Sequence, residues 1–161
     1  KGKIDYVFHS ASQASPKFYL KSPISTISPN VFGTFNILNL CKKKKIKSFL
    51  YFSSGEVYGK SNQKLVEDML HKTPTLDVRS CYIQSKKMGE TICYSFFKEK
   101  KIPAKIIRIF HTYGPGMDLD DGRVMMDVVK EIIRNKKIET SIVCPERPLQ
   151  ETTKLRTRVN A

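Results

Sequence analysis

The sequence has no run of apolar residues approaching the roughly 20 that a membrane-spanning helix requires. It has only four cysteines, Cys41, Cys81, Cys93 and Cys144, with no Cys-x-x-Cys pair and no histidine at a metal-ligand interval, so no metal site is expected. Because residues Lys1–Ser10 have the pattern of a strand and not of a cleavable signal, we expect reduced thiols and a cytoplasmic location.

Acidic residues are scarce: 15 Asp and Glu stand against 29 Lys and Arg, which gives a formal net charge of +14. Such an excess is found in proteins that bind nucleic acid through its phosphates. Here the longest lysine run, Lys42–Lys45, falls where a helix is predicted to end, beside the negative end of its dipole, and no aromatic residues interleave with it. The charge therefore favours a solvated helix end over a nucleic-acid partner. A non-catalytic basic α/β binding domain is the alternative from another class.

Short β-rich runs alternate with longer helical patterns, and the 40% apolar content is enough for a buried core. This alternation predicts βαβ units, with parallel strands side by side in chain order. We predict strands over residues 5–9, 48–53 and 105–110, and helices over residues 29–44, 80–100 and 124–134. The first helix starts with Ser28 as N-cap, or begins earlier and bends at Pro29.

Two elements also have patterns that predict how they are buried. The strand over residues 48–53 is apolar on both faces, which is typical of a strand covered by helices on each side. In the helix over residues 80–100, Met88, Ile92 and Phe96 recur every fourth residue and predict the core-facing stripe.

Candidate site residues follow the predicted strands, where ligands bind in parallel sheets. Tyr82 and Lys86 lie four residues apart and project from one helix face, so the ammonium could lower the pKa of the phenol and make it a general base. Ser54, at the end of the second strand, could hydrogen-bond the same substrate oxygen. Taken singly, each pattern has an ordinary explanation, a solvated helix face or a strand-to-loop turn.

Together, in this order, the motifs resemble those of the extended short-chain dehydrogenase/reductases that modify nucleotide sugars, the NAD-dependent epimerase/dehydratase family. The resemblance covers residues 1–135 and rests on residues 7–12, on Thr26 with Asn30, Gly33 and Thr34, on residues 53–59, on Tyr82 with Lys86, and on residues 108–115. Within the family, residues 79–82 and 121–124 are similar to those of UDP-glucuronate decarboxylases.

The resemblance implies NAD as cofactor and a nucleotide sugar as substrate. Tyr82 would take the proton of the sugar 4-hydroxyl, Lys86 would tune it and hold the cofactor ribose, and Ser54 would orient the hydroxyl. The implied cofactor contacts are Ala11, Ser12, Asn30, Ser53, Tyr82 and Lys86, and the implied substrate contacts are His111 and Arg123. No metal, nucleic acid or membrane is implied as a partner, and a homodimer is expected at full length.

The resemblance also narrows the reaction. Hydride removal at C4 leaves a transient 4-keto sugar, which can lose a C5 carboxylate, lose water across C5 and C6, or regain the hydride on its other face. Members that expel water resemble a Thr-Asp-Glu where this chain has Ser54-Gly55-Glu56. The acid is absent while Glu56 remains as a candidate catalytic residue, with a solvated turn carboxylate as its alternative. A UDP-glucuronate decarboxylase-like reaction is therefore favoured, and a nucleotide-sugar 4-epimerase or 4,6-dehydratase is the alternative.

The family's fold opens with a strand, a Gly-x-x-Gly-x-x-Gly turn and a helix, and this chain has no such motif. It begins at what would be the fourth strand, and the resemblance fades after Lys137. We therefore expect a fragment: an α/β, three-layer Rossmann-like parallel sheet, incomplete because its first βαβ half and C-terminal substrate part are missing. The expected boundaries are a partial NAD(P)-binding domain over residues 1–137 and an irregular tail over residues 138–161.

Overall fold

Three parallel strands form a sheet in the order β1-β2-β3 in the computed structural model, which describes residues 2–59, 61, 64–67 and 73–134. The strands are β1 Tyr6–His9, β2 Ser48–Ser54 and β3 Ala104–Ile109. The predicted parallel pairing and strand order are confirmed, with β2 in the centre of the sheet. The predicted tail over residues 138–161, and Cys144 within it, lie outside the described residues.

Five α-helices accompany the sheet in the described part of the chain: α1 Pro16–Tyr19, α2 Pro23–Ser28, α3 Thr34–Lys44, α4 Ser80–Lys100 and α5 Val124–Ile133. A π-helical turn, Pro29–Gly33, joins α2 to α3. The prediction of Ser28 as an N-cap is wrong, because its backbone is helical and its side chain caps nothing. The alternative, a helix that begins earlier and is distorted at Pro29, is confirmed. Proline has no N–H to donate, so the wider turn accommodates the missing hydrogen bond.

The helical run over residues 23–44 and helix α4 pack side by side on one face of the sheet. The core lies between them and β2, and its buried members include Leu38, Phe49, Tyr51, Cys93 and Phe96. On the opposite face Tyr6 and Phe8 are 60% and 66% exposed, while Leu50 and Phe52 of β2 are half-buried. The described residues thus form two of the three predicted layers, and within them only one face of β2 is fully buried.

Helix α4 has the predicted bounds, and two members of its predicted stripe are confirmed, since Phe96 is in the core and Ile92 packs against it, but Met88 is wrongly predicted. Met88 is 49% exposed, and the buried side chains of the helix are Ser80, Cys81, Tyr82, Ser85, Lys86, Cys93 and Phe96, together with Gly89. The helix faces the sheet with small and polar residues, because the large residues of β2 fill the space between the two elements. Because this side of α4 faces the sheet, the side chains of Tyr82 and Lys86 are buried.

Within the residues that the structure describes, no helix is long and apolar enough to cross a membrane. In the same part of the chain, no three His, Cys, Asp or Glu side chains are grouped so that they could hold a metal ion. Cys41, Cys81 and Cys93 are free thiols, and all three are buried.

Candidate active site

Tyr82 and Ser54 meet at the carboxyl edge of the sheet. Tyr82 lies in the first turn of α4 and is 7% exposed, and Ser54 is the last residue of β2. The Ser54 side chain lies close enough to the phenol to lower its pKa, and its Oγ accepts the backbone N–H of Glu56 at 3.2 Å. This bond to Glu56 caps a 3₁₀ turn, Gly55–Tyr58, and fixes the position of the Ser54 hydroxyl. The structure therefore brings together the phenol and the alcohol that the sequence singled out.

Lys86, one helical turn after Tyr82, is buried between α4 and β2. Its Nζ donates a hydrogen bond to the Phe52 carbonyl oxygen at 2.7 Å and lies 5.2 Å from the ring centroid of Tyr51 and 5.8 Å from that of Tyr82. Only 3% of the residue is exposed, and this burial lowers the pKa of Lys86 to about 8. The ammonium is held by a carbonyl and two aromatic faces, with no carboxylate among the partners that the structure shows.

The expected lowering of the Tyr82 pKa is not observed. Burial raises the pKa of Tyr82, because a phenolate is poorly solvated there, and the negative charge of Glu56 raises it further. The nearby Ser54 hydroxyl and the positive charge of Arg123 act in the opposite direction and lower the pKa. The Lys86 ammonium is directed at the Phe52 carbonyl. Its four-residue spacing from Tyr82 therefore does not make it the group that stabilises the phenolate here.

A second aromatic ring stacks on Tyr82. The ring of Tyr19 lies 5.2 Å from that of Tyr82, with their planes 12° apart, and Arg79 donates to the Tyr19 hydroxyl at 3.4 Å. Tyr19 is 4% exposed. Tyr19 is not among the predicted site residues, although its place between Pro16 and Pro23 is a sequence signal that could identify it.

The implied cofactor residues differ in what surrounds them. Asn30 is fully buried in the π-helical turn, where its Nδ2 donates to the Ser85 hydroxyl at 3.0 Å. Its Oδ1, like the buried Oγ of Ser12, has no hydrogen-bond partner within the described residues. Buried polar atoms are rarely left unpaired, so both atoms suit a site that a polar ligand completes, and the exposed Ala11 leaves room beside them. These residues fit a dinucleotide.

Ser53 behaves differently, because its hydroxyl donates to Oε1 of Glu90 at 2.5 Å. The same carboxylate accepts hydrogen bonds from Nε and Nη2 of Arg108, at 2.9 and 2.8 Å. Neither Glu90 nor the Arg108 side chain is among the predicted site residues. Two signals were present: Glu90 continues the four-residue spacing of Tyr82 and Lys86, and Arg108 is a charged residue within an apolar strand.

The residues that follow β3 lie against helix α1. Ser15 Oγ donates to the Asp121 carbonyl at 2.6 Å, and Lys17 Nζ donates to that of Asp120 at 3.2 Å. Arg123 is half-buried, is paired with the Asp121 carboxylate and is near enough to Tyr82 to lower the pKa of its phenol. His111 lies exposed just beyond β3, and the described contacts do not bring it into this cluster.

A parallel sheet with a tyrosine, a lysine and a serine at its carboxyl edge defines the class of Rossmann-like dinucleotide-binding enzymes. Residues 1–153 match the model of the NAD dependent epimerase/dehydratase family, and the chain belongs to that family.

Known proteins of this family resemble the chain over most of its length. It is 35% identical over 144 residues to UDP-glucuronic acid decarboxylase 5 of Arabidopsis thaliana, covering 84% of the chain and 40% of that protein. It is 34% identical to UDP-glucuronic acid decarboxylase 1 of Xenopus tropicalis over 138 residues, 84% of the chain and 32% of that protein. The UDP-glucuronic acid 4-epimerase of Bacillus cereus, solved with UDP-glucuronic acid and NAD, superposes with a TM-score of 0.70 at 29% identity, over 83% of this chain and 40% of that one.

Proposed function

We propose that the protein containing this chain oxidises a nucleotide sugar at C4 to a transient ketone, and that its reaction is the decarboxylation of UDP-glucuronate. The observation that carries the proposal is the proximity of Ser54 to the buried Tyr82 phenol at the carboxyl edge of the sheet, with Lys86 one helical turn away. Relatives that are UDP-glucuronic acid decarboxylases, and a structural neighbour that binds UDP-glucuronic acid, support the substrate class.

In this proposal Tyr82 removes the proton of the 4-hydroxyl. Its pKa is raised by burial, so phenolate formation depends on the groups that oppose that rise, Ser54 and Arg123. Lys86 and Asn30 would hold the cofactor, the first through its ammonium and the second through its unpaired Oδ1. NAD⁺, when bound, supplies the hydride acceptor for C4.

The turn after Ser54 favours decarboxylation over loss of water. A Cβ at position 55 would lie 2.7 Å from Cδ1 and 2.8 Å from Cε1 of the Phe110 ring, so Gly55 cannot carry an acidic side chain unless that ring moves. Expulsion of water from C6 needs an acid beside the leaving hydroxyl, whereas carbon dioxide leaves the 4-keto sugar as a neutral molecule. A glycine at position 55 supplies no acid for the loss of water and is compatible with the loss of carbon dioxide.

Product analysis tests this proposal. The protein, made with whatever residues flank the chain in its gene, is incubated with UDP-glucuronate and NAD⁺, and the products are identified by NMR and by trapping carbon dioxide. We expect a UDP-pentose and one equivalent of carbon dioxide.

A hexuronate product with inverted C4 would support the 4-epimerase reaction of the Bacillus cereus neighbour instead. A 6-deoxy-4-keto product from a nucleotide hexose would favour dehydration. If no nucleotide sugar is turned over and retention on nucleic acid depends on salt, the basic binding domain becomes the better account.

A further inference from the structure

A carboxylate occupies the position one helical turn beyond Lys86. Tyr82, Lys86 and Glu90 follow one another at four-residue intervals and therefore lie along one side of α4. The side chain of Glu90 is 15% exposed and that of Arg108 is 24% exposed, so this ion pair lies largely out of water. The proposed function assigns no role to either residue.

The strand register explains why these groups meet. Ser53 of β2 and Arg108 of β3 are direct partners across the sheet, so their side chains leave the same face, the one that α4 covers. Glu90 reaches down from α4 and accepts three hydrogen bonds, one from Ser53 and two from the guanidinium. A bidentate arginine–carboxylate contact fixes both the distance between the two side chains and their relative orientation, which a single hydrogen bond does not.

The Arg108 guanidinium also contacts the last residue of the turn that follows Ser54. It lies 4.8 Å from the ring centroid of Tyr58, and the Tyr58 ring stacks on that of Phe110 at 5.8 Å with 24° between planes. Phe110 in turn packs on Gly55. The pair thus contacts Ser53, just before the Ser54 hydroxyl, and Tyr58, at the end of the turn.

We propose that Glu90 and Arg108 are a positioning pair, which holds the turn over residues 54–58 against α4 and so keeps the Ser54 hydroxyl beside the Tyr82 phenol. This inference rests on the proposed function for its catalytic consequence. Both residues act through others, because the described contacts join them to Ser53 and Tyr58 and not to the phenol.

The direction in which the Tyr82 pKa shifts distinguishes a positioning role for Glu90 from a direct effect of its charge on the phenol. The groups around the Tyr82 phenol are Ser54 and Glu56 of the turn, Arg123 before α5, Tyr19 of α1 and Lys86 of α4, and the charges that shift its pKa are those of Glu56 and Arg123. Removing the Glu90 charge would by itself leave the pKa of Tyr82 unchanged or lower it. Displacement of the Ser54 hydroxyl from the phenol would raise that pKa.

The experiment compares Glu90→Gln with Glu99→Gln, the same substitution on the same helix at a side chain that is 70% exposed. Tyr82 ionisation is followed as the phenolate absorbance that disappears when each protein also carries Tyr82→Phe, a readout that needs no turnover. We expect the pKa of Tyr82 to rise by about one unit in Glu90→Gln and to stay unchanged in Glu99→Gln. With UDP-glucuronate, kcat at neutral pH should fall about tenfold while KM changes less than about twofold.

Each outcome of this experiment either supports or overturns the positioning role of Glu90 and Arg108. An unshifted or lowered Tyr82 pKa in folded Glu90→Gln would overturn the positioning role. If Glu90→Gln does not fold, Arg108→Lys, which keeps the charge and loses the fork, carries the same test. Failure of both to fold would also overturn the proposal, since the pair would then serve the fold as a whole. A wild-type protein that turns over no nucleotide sugar refutes the proposed function, while the ionisation readout still tests the pair.

Discussion

The hydroxyl of Tyr51 occupies the space that a Cβ at Gly89 would need. The Asn30 carbonyl oxygen closes the same space from another side, 3.1 Å from that Cβ position. The absence of a side chain at residue 89 lets Tyr51 lie under α4, and the Tyr51 ring in turn faces the Lys86 ammonium. A glycine on the helix thus supports the position of a candidate catalytic lysine.

Gly89→Ala should lower the free energy of unfolding by about 1–3 kcal/mol, because a methyl group there overlaps Tyr51. Adding Tyr51→Leu should recover part of the loss. Urea denaturation measures both, and Gly114→Ala, at a position with nothing within 4 Å of the added carbon, is the control that should have little effect. A Gly89→Ala protein as stable as the parent would contradict the observed packing.

Replacement of Lys86 should increase stability. The pKa of Lys86 in the folded protein is about 8, below its ordinary value of 10.5, so the fold disfavours the ammonium and bears this cost at pH 7. We expect Lys86→Met to raise the free energy of unfolding at pH 7 by about 2 kcal/mol, less than the full cost because the bond to the Phe52 carbonyl is lost.

The pH dependence of that difference follows from the same shift. Between pH 8 and 10.5 the unfolded chain keeps the Lys86 proton that the folded chain has lost, so parent stability rises with pH in this window relative to Lys86→Met. Denaturation at pH 7 and pH 9.5 should show the gap narrowing. A gap that is constant with pH would mean that Lys86 is not buried as a destabilised ammonium.

The contact between Gly55 and Phe110 leads to a prediction about the reaction. Gly55→Asp alone should displace the ring, which is 52% exposed and can turn toward solvent, and lower the free energy of unfolding by about 0.5–1.5 kcal/mol, and Phe110→Ala should relieve that strain. The double variant, offered a nucleotide hexose, should form detectable 6-deoxy-4-keto product, since it carries an acid with room beside it. Product NMR checks this, with Phe110→Ala alone as control. Equal product yields from the two would remove Gly55 as the residue that disfavours dehydration.

The sequence predicted the bounds of α4 well, because the helical pattern is uninterrupted from Ser80 to Lys100. It predicts the burial of Phe96 but not which side of the first half of α4 is buried. The apolar spacing pointed to Met88, yet the sheet is contacted by a side that carries Ser85 and Gly89. Periodicity reports where apolar residues recur, and here the large apolar groups at the contact belong to β2.

The sequence predicts those site residues whose positions follow from the ends of the strands. It does not predict the contacts that depend on the direction in which a side chain points. Ser54 and Tyr82 meet because the end of β2 and the start of α4 adjoin the same edge of the sheet. The side chain of Lys86 points toward the Phe52 carbonyl, a backbone acceptor that the sequence pattern does not reveal. The sequence therefore predicts a lowered pKa for Tyr82, whereas in the structure burial raises it. The resemblance implies a cofactor contact for Ser53, whereas its bond to Glu90 depends on the register of β2 and β3, which the sequence does not show.

The most direct test of the account is the first hydride transfer with Tyr82 replaced. In a single turnover with UDP-glucuronate, formation of NADH is followed by its absorbance in the parent, in Tyr82→Phe and in Tyr94→Phe, an exposed tyrosine on the same helix. Removal of the base should slow NADH formation at least about a hundredfold in Tyr82→Phe, while Tyr94→Phe should match the parent. NADH formation at the parent rate in folded Tyr82→Phe would contradict the assignment of this phenol as the base.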